Sequence, residues 1–438
     1  MRIRPLTLDS VAAELAAVRP TDESSRDIAD VVAGLLADVR TRGDAAVVEA
    51  TRRFDWPGAE VGALAVPEAE LAAAYADVEP ELIDALELAR ENCTFFHRHE
   101  LIPDWEDVGA QGQKLGIRRL PVERAGLYVP GGLGSYASTV IMNSVPALVA
   151  GVRELIICTP ADREGRVNSS VLAAAHLMGI RKVFRVGGAQ AIAAMAFGTE
   201  TIPRADVICG PGNAYVAEAK RQVYGSVGID SLAGPSEVLV VADSTGRADW
   251  VSADMLAQEE HGSGAQALLV CESEAFCREV EAALGRLRMG ARGDGSADSS
   301  RHDDHGRLFA YYAAPGTDFL ELAAEAVNAY APEHLEIHLR APRAFLGRVR
   351  SAGAIFIGGV TPTAFGDYIA GSNHVLPTGG AARFSSPLSV DTFMRRSSYV
   401  EMSPEAVRAL TPSLATMANS EGFTFHRISA ELRAAAEH

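Results

Sequence analysis

The stretch GDYIAGSNHVLPT, at residues 366–378, places an aspartate, an asparagine, a histidine and two glycines within thirteen positions. Asp367 and His374 are seven residues apart, which is about two turns if the segment is helical. Gly366, Gly371 and a following proline disfavour one regular helix, so we expect a short helical turn that runs into a loop. A polar loop after an apolar strand is a usual place for a functional site in an α/β protein. The alternative is a solvated surface turn.

Three other short segments carry side chains that can bind metal ions or transfer protons. In QEEHG, Gln258 and His261 are spaced so that both project from one face of a helix. In PEHLE, Glu333 precedes His334, and EGFTFH near the end of the chain contains His426. Imidazole nitrogen, carboxylate oxygen and amide oxygen suit a zinc-like divalent ion without thiolates. A histidine beside a glutamate also supplies a general base and a second carboxylate.

Eight segments that follow one another along the chain resemble those of the histidinol dehydrogenase family. They are YVPGG, GGAQAIAAMAFGT, GPGNAYVAEAK, AGPSEVL, QEEHG, PEHLE, GDYIAGSNHVLPT and EGFTFH. They extend over nearly the whole sequence, so the resemblance does not depend on one motif. It implies oxidation of L-histidinol to L-histidine through L-histidinal, the last step of histidine biosynthesis, by two successive hydride transfers to NAD.

The resemblance also implies one zinc ion per subunit, which holds the imidazole and amino nitrogens of the substrate and orients it. The implied zinc ligands are Gln258, His261, Asp367 and His426. The implied substrate contacts are Ser236, Gln258, His261, His334, Asp367, His374, Glu421 and His426. For proton transfer, His334 is the expected general base, and Glu333 is expected to activate the water that hydrates the aldehyde.

The resemblance implies that Tyr128, Gln190 and Asn213 contact NAD. The glycine pattern alone does not predict this, because GPGNAY has Tyr215 where the GxGxxG fingerprint needs its third glycine. The sequence also contains no GxxxxGK[ST] segment for binding phosphates. Tyr128 would offer an aromatic face and the two amides would offer hydrogen bonds, with helix capping and turn formation as the alternatives.

Size and charge favour a two-lobed enzyme. A chain of 438 residues is too long for one ordinary core. The formal net charge of −17 disfavours nucleic acid or an anionic membrane as a partner, since both need a basic face. No apolar run in the sequence approaches membrane-spanning length. Acidic residues interrupt the N-terminal segment where a signal peptide would be apolar, so we expect a cytoplasmic protein.

The five cysteines are scattered and show no CxxC spacing, so neither a disulfide framework nor a thiolate zinc site is indicated. Cys158 and Cys209 lie in apolar runs and are expected to be buried thiols. A nucleophilic cysteine would suit an alcohol-to-acid oxidation through a thiohemiacetal. Only Cys209 adjoins one of the matching segments, and we do not assign it that role.

Apolar runs alternate with helical segments from residue 152 onward, which predicts parallel sheets covered by helices. The predicted strands are ELIIC, KVFRV, DVIC, EVLVVAD, ALLVC, LFAYY, LEIHL and AIFIGG. Before them we expect amphipathic helices from residue 25 and over residues 80–98. After them we expect a helical tail from about residue 403.

The remaining histidines that have polar neighbours are not assigned to the site. His97 and His99 flank an arginine at a helix end and are expected to be solvated or to cap that helix. His302 and His305 lie in GARGDGSADSSRHDDHG, whose glycine, serine and charge content predicts a mobile surface loop. His338 alternates with apolar residues and is expected on the wetter face of a strand.

The predicted fold class is α/β, with two incomplete Rossmann-like lobes built on parallel sheets, a small helical N-terminal arm and a C-terminal tail. Residues 1–24 form the arm. Residues 25–125 and 237–385 together form a discontinuous zinc and substrate lobe, and residues 126–236 form the NAD-binding lobe. The resemblance implies that the tail, residues 386–438, reaches the active site of the partner subunit in a homodimer with shared sites.

Three other functions stay open on the sequence alone. A paralogous dehydrogenase would oxidise another amino or sulfonated alcohol, but Ser236, His374 and Glu421 favour histidinol. A zinc hydrolase would use Glu333 to activate water without a nicotinamide. A noncatalytic metal-binding scaffold would leave the pair of Glu333 and His334 without a purpose.

Overall fold

The chain forms strands and helices that alternate through most of its length. The computed structural model describes residues 1–19, 25–131, 136–232, 234–262, 264–293 and 307–436. The strands are β1 (Arg2–Leu6), β2 (Trp105–Val108), β3 (Lys114–Pro121), β4 (Arg124–Tyr128), β5 (Glu154–Thr159), β6 (Lys182–Arg185), β7 (Val207–Cys209), β8 (Gly228–Ile229), β9 (Glu237–Ala242), β10 (Gln266–Cys271), β11 (Arg307–Ala313), β12 (His334–His338), β13 (Ala354–Ile357) and β14 (Met394–Glu401). The helices are α1 (Val11–Val18), α2 (Ser25–Arg42), α3 (Asp44–Phe54), α4 (Glu68–Asp77), α5 (Pro80–Arg98), α6 (Ala137–Ala150), α7 (Ser169–Leu177), α8 (Gly188–Phe197), α9 (Ala214–Val223), α10 (Ala248–Glu259), α11 (Glu274–Gly293), α12 (Phe319–Tyr330), α13 (Pro342–Leu346), α14 (Thr363–Tyr368), α15 (Pro404–Ser420) and α16 (Thr424–Ala434).

Five parallel strands form the first sheet, in the spatial order β6-β5-β4-β7-β8. Ala125 and Leu127 of β4 belong to the core on one face, which includes residues of α4, α5, α6 and α7. Tyr128 belongs to the core on the other face, which includes residues of α2, α3, α8 and α9. Because helices cover both faces, these strands are apolar along their whole length rather than alternating.

Six parallel strands form the second sheet, in the order β1-β11-β10-β9-β12-β13. Without β1, the five other strands repeat the order of the first sheet. Leu335 and Ile337 face the core that contains α1 and α12, and Val238 and Val240 face the core that contains α10 and α11. The predicted α/β class with two Rossmann-like lobes is confirmed.

Strands at the two ends of the chain were not predicted. The N-terminal arm contains a helix, α1, but Arg2–Leu6 form β1 and pair with β11. Near the C-terminus, Met394–Glu401 form β14, which pairs antiparallel with β3, and β3 pairs with β2. Nearly every residue of β14 is exposed, so its sequence carries no alternation from which a strand could be predicted. The helical tail begins at α15, as expected.

The helices between residues 25 and 98 pack on the five-stranded sheet. Val32 and Leu36 of α2 and Val47 of α3 lie in the core on one face of that sheet. The division into domains stays a prediction, and this packing favours placing residues 25–98 with the five-stranded sheet rather than with residues 237–385. An amphipathic pattern shows that a helix packs, but not against which sheet.

The histidines near the end of α5 differ in burial. The helix ends where predicted, and His99 is exposed at its C-cap, as expected. His97 is buried, and its Nδ1 lies 2.7 Å from the Glu100 carboxylate rather than from a backbone group, so the prediction that it is solvated or caps the helix was wrong. The helical pattern showed a histidine near a helix end, but not that the loop after α14 covers it. His302 and His305 lie outside the described residues.

Cys158 and Cys209 are buried, as predicted. Burial, followed by the carboxylate of Asp230, raises the pKa of the Cys209 thiol well above its ordinary value, which disfavours a thiolate nucleophile there. Among the described helices, none is long and apolar enough to span a bilayer.

Candidate active site

The amino ends of β9 and β12 bring together three polar residues from separate segments. Ser236 precedes β9, Glu333 precedes β12 and Gln258 lies near the end of α10. The Ser236 hydroxyl donates a hydrogen bond to Glu333 Oε2 at 2.6 Å and accepts one from Gln258 Nε2 at 2.8 Å. The Glu237 N–H donates to the same Glu333 oxygen at 2.9 Å. These bonds fix the Glu333 carboxylate and turn the Gln258 amide oxygen away from Ser236.

His334, the first residue of β12, is buried beside two carboxylates. Its Nδ1 lies 3.3 Å from the Glu237 carbonyl oxygen and 3.5 Å from Glu333 Oε2, and its Nε2 lies 3.5 Å from Asp367 Oδ1. Because a carbonyl only accepts, Nδ1 is assigned the proton, and Nε2 has no hydrogen-bond partner within the described chain. Burial lowers the pKa of His334, but Glu333 and Asp367 outweigh it and raise that pKa well above its ordinary value. The site therefore favours proton uptake by this imidazole.

Residues 366–378 form the end of α14 and the loop after it, as predicted. Gly371 has φ +108°, and a Cβ there would lie 2.5 Å from the backbone carbonyl oxygen of Asn92, so this turn requires glycine. The Asn92 side chain donates a hydrogen bond to the Ile369 carbonyl at 2.8 Å. The loop is thus held against α5, a helix that packs on the five-stranded sheet.

Asp367 is held between imidazoles. Burial raises the pKa of Asp367, but His334, and less strongly His374 and His261, more than offset this and lower it. His374 Nδ1 donates to the backbone carbonyl of Asp367 at 2.9 Å, and its Nε2 lies 3.4 Å from the Thr139 hydroxyl on α6. Burial lowers the pKa of His374, so it is neutral at neutral pH. His374 therefore orients Asp367 and links the two lobes. No motif pointed to Thr139.

The predicted zinc ligands fall into two groups. Gln258 is joined to the cluster at the strand ends, and His261 is close enough to Asp367 to lower its pKa. Gln258, His261 and Asp367 offer an amide oxygen, an imidazole and a carboxylate. This set fits a four-coordinate zinc ion that takes its fourth ligand from elsewhere. His426 on α16 and Glu421, which follows α15, are exposed, and their side chains make no hydrogen bonds to other described residues. A single chain does not bring them to the site.

The residues predicted to contact NAD lie at the carboxyl edge of the first sheet, where the strand order reverses between β4 and β7. Ligands bind at such points in open α/β sheets. The Tyr128 hydroxyl accepts from the Gly188 N–H at 3.0 Å, and Gln190 is buried and donates to Asp55 Oδ2 at 3.2 Å. Asn213 is exposed and caps α9 by accepting from two backbone N–H groups, both at 3.1 Å. Their assignment to NAD stays a prediction.

A buried ion pair holds the turn after β7 against β4. Gly210 has φ +116°, and a Cβ there would overlap the Tyr128 carbonyl oxygen, so the turn requires glycine. Its N–H donates to Asp230 Oδ2 at 2.8 Å, and its carbonyl accepts from Lys220 Nζ at 3.0 Å. Lys220 and Asp230 pair with each other, and both side chains are 2% exposed. The pair therefore fixes the floor of the crevice between β4 and β7.

Replacing Lys220 with methionine is expected to lower the free energy of unfolding by about 3–5 kcal/mol, because the Asp230 carboxylate is left buried without its partner. Urea unfolding followed by circular dichroism measures the change. Arg221, which makes an exposed pair with Glu218, is the matched control. Its replacement by methionine should cost no more than about 1 kcal/mol. Equal losses for the two variants would contradict the role given to the buried pair.

A second group of titratable side chains lies outside the predicted site. Asp254, Glu336 and His338 are buried, and one ligand atom from each lies within 4.8 Å of the others. In the part of the chain that the structure describes, it is the one such group of three or more histidine, cysteine or acidic residues. The prediction that His338 lies on a wetter strand face was wrong, because α10 covers that face and His338 is 2% exposed.

Known proteins place the chain in one family. Residues 18–434 match the family model described as histidinol dehydrogenase. The histidinol dehydrogenase of Rhodospirillum rubrum is 46% identical over 434 residues, which cover 99% of this chain and 98% of that protein. The one from Cereibacter sphaeroides is 48% identical over 94% of this chain and 93% of its own length. The crystal structure of histidinol dehydrogenase from Elizabethkingia anophelis has a TM-score of 0.91 at 31% identity and covers 99% of this chain and 98% of that one. The chain therefore belongs to the histidinol dehydrogenase family.

Proposed function

We propose that the protein is a cytoplasmic, zinc-dependent enzyme of histidine biosynthesis that oxidises L-histidinol to L-histidine through L-histidinal with NAD. Membership of the histidinol dehydrogenase family supports the overall reaction. The observation that carries the proposal is the buried imidazole of His334, whose Nδ1 lies 3.5 Å from Glu333 and whose Nε2, 3.5 Å from Asp367, makes no hydrogen bond within the described chain. Such an imidazole suits removal of a proton from a hydroxyl group.

The zinc ligands of this chain are oriented by its own hydrogen bonds. When bound, zinc would hold the imidazole and amino groups of the substrate, and NAD would accept the hydrides. We assign Gln258, His261 and Asp367 to the metal. Ser236 fixes the Gln258 amide nitrogen, and His374 fixes the backbone of Asp367. Supports of this kind orient ligands before the ion binds.

His334 and Glu333 divide the proton transfers. His334 Nε2 takes the hydroxyl proton of L-histidinol while a hydride leaves the carbon that bears this hydroxyl. The aldehyde then adds water. Glu333 accepts a proton from that water, and protonated His334 returns its proton to the aldehyde oxygen, so that the hydrate forms and His334 is again a free base. Both hydrogen bonds to the Glu333 carboxylate, from Ser236 and the Glu237 N–H, fall on Oε2, so Oε1 is the oxygen available to the water. His334 then removes a hydroxyl proton from the hydrate during the second hydride transfer.

Replacing Glu333 with glutamine is expected to lower kcat for L-histidinol by about 10²–10⁴-fold, because an amide cannot take the proton from water. The amide oxygen can still accept from the Glu237 N–H, so the zinc content should not change. Steady-state kinetics and atomic absorption measure the two quantities. Replacing the exposed Glu260 with glutamine is the matched control and should leave kcat unchanged. Loss of zinc from the Glu333 variant would instead make Glu333 a ligand.

We place Glu421 and His426 in the active site of a partner subunit in a homodimer. In one chain their side chains are exposed, although the sequence resemblance implies that they contact the substrate and the metal. The same C-terminal segment exposes Met417, Phe425 and Leu432 by 65%, 84% and 68%. Exposed apolar groups clustered in this way mark interfaces. A tail from the partner would add the second imidazole that the zinc site needs.

Absorbance at the NADH band, measured on mixing protein, NAD and L-histidinol, tests the proposed function. We expect NADH to form, to stop forming after a chelator removes the metal, and to form again when zinc is added. A zinc hydrolase would form none, and a paralogous dehydrogenase would reduce NAD only with another amino or sulfonated alcohol. Zinc-loaded protein that forms no NADH with L-histidinol would contradict the proposal.

A further inference from the structure

Helix α10 lies along the face of β12 that carries His334, Glu336 and His338, and runs opposite to the strand. Asp254, in the middle of α10, is 3.8 Å from His338 near the carboxyl end of β12. Gln258, one turn later, reaches Ser236 at the amino end of β9. Asp254 therefore lies against the strand from the same helix that presents the assigned ligand Gln258.

Helix α14 runs along the same face in the same sense as α10. At its first residue, the Thr363 N–H donates to Glu336 Oε1 at 2.8 Å. One turn later, Asp367 lies 3.5 Å from His334 at the amino end of β12. Glu336 therefore fixes the start of the helix whose end presents the assigned ligand Asp367.

Asp254, Glu336 and His338 lie close together and are buried. His338 Nε2 lies 3.3 Å from Glu336 Oε2 and 3.8 Å from Asp254 Oδ2. Asp254, Glu336 and His338 are 9%, 0% and 2% exposed, and the substrate contacts we assign lie elsewhere. Burial and then the Glu336 carboxylate raise the pKa of Asp254 to about 8, so Asp254 keeps its proton at neutral pH. A protonated Asp254 removes the repulsion between two buried carboxylates at this point.

We propose that Asp254, Glu336 and His338 are positioning residues that join α10 and α14 to β12 and thereby set the separation of Gln258 and Asp367. The inference rests on the proposed zinc site. A metal site needs its ligands held within about 0.5 Å of the productive geometry. Side chains that support ligands typically contribute about 10–100-fold to metal affinity.

The test compares Glu336→Leu with Glu336→Gln in the full-length dimeric enzyme. Leucine removes the acceptor for the Thr363 N–H, whereas glutamine keeps an oxygen there and can donate to Asp254. We expect Glu336→Leu to raise the zinc Kd by about 10–100-fold, measured by competition with a chromogenic chelator, and Glu336→Gln to stay within a few-fold of the parent. With saturating zinc, kcat should recover more fully than the KM for L-histidinol.

Ile337→Ala is the matched control, because Ile337 is the next residue of β12, is equally buried and faces the opposite core. It should lower the melting temperature without changing the zinc Kd. If Glu336→Leu does not fold, His338→Leu replaces it, since that change keeps the Thr363 hydrogen bond, and the same rise in zinc Kd is expected.

Three results would overturn the inference. If Glu336→Leu and Ile337→Ala have the same zinc Kd, the cluster stabilises the fold without positioning the zinc ligands. A second metal equivalent per subunit in the parent, lost in Glu336→Leu, would make the cluster a metal site instead. If the parent enzyme binds no zinc, the proposed function fails together with this inference. The first two results overturn the inference alone.

Discussion

Replacing His334 with asparagine is expected to lower kcat for L-histidinol by about 10²–10⁴-fold, because the variant has no group that can take the hydroxyl proton. Asparagine can still donate a hydrogen bond toward the Glu237 carbonyl, which His334 Nδ1 contacts at 3.3 Å. The zinc content should therefore stay near that of the parent. Stopped-flow measurement of the first NADH formed isolates the first hydride transfer and should show the same loss.

His99→Asn is the matched control for this variant. His99 is exposed at the end of α5 and contacts the backbone of its own helix through Nδ1. Its replacement should leave kcat unchanged. A kcat for His334→Asn within about tenfold of the parent would show that another group is the base.

Mixing the variants His426→Ala and Glu333→Gln is expected to restore activity that neither variant has alone. In a heterodimer with shared sites, the body of the first chain and the tail of the second form one intact site. Each heterodimer should therefore have about half of the parental activity, because a twofold dimer holds two equivalent sites. Differently tagged chains, refolded together and purified through both tags, provide the heterodimer for steady-state assays.

A heterodimer of Glu333→Gln and His334→Asn is the control, because both changes lie in the body of the chain and damage both sites. It should stay inactive. Verified heterodimers of His426→Ala and Glu333→Gln that show no activity would contradict the exchange of tails. Activity of the His426→Ala homodimer with its full zinc content would contradict the role of that imidazole.

Strands that read as short apolar runs, such as β5, β9 and β12, were predictable, because helices cover both faces of their sheets. The central strand β4 of the first sheet was not predicted, and neither were β1 and β14. The exposed β14 shows no hydrophobic alternation, and β1 is recognisable only beside β11. The sequence of an amphipathic helix does not show which sheet the helix packs on, and only the structure shows that α2 and α3 pack on the five-stranded sheet.

The site was predictable where neighbouring residues carry the chemistry. Glu333 and His334 are adjacent, and Gln258 lies one helical turn before His261. Contacts between residues from separate elements could not be predicted. Thr139 on α6 reaches His374 from the first sheet's helices, and the burial of His338 depends on α10 covering β12. Such contacts depend on how separate elements pack, which no local spacing encodes.

The number of NADH molecules formed per L-histidinol tests the central claim most directly. With limiting L-histidinol and excess NAD, the zinc-loaded enzyme should form two NADH for each L-histidine recovered, because the proposed reaction removes two hydrides before the acid is released. Absorbance and chromatography of the product give both amounts. One NADH per substrate with L-histidinal accumulating, or none at all, would contradict the account.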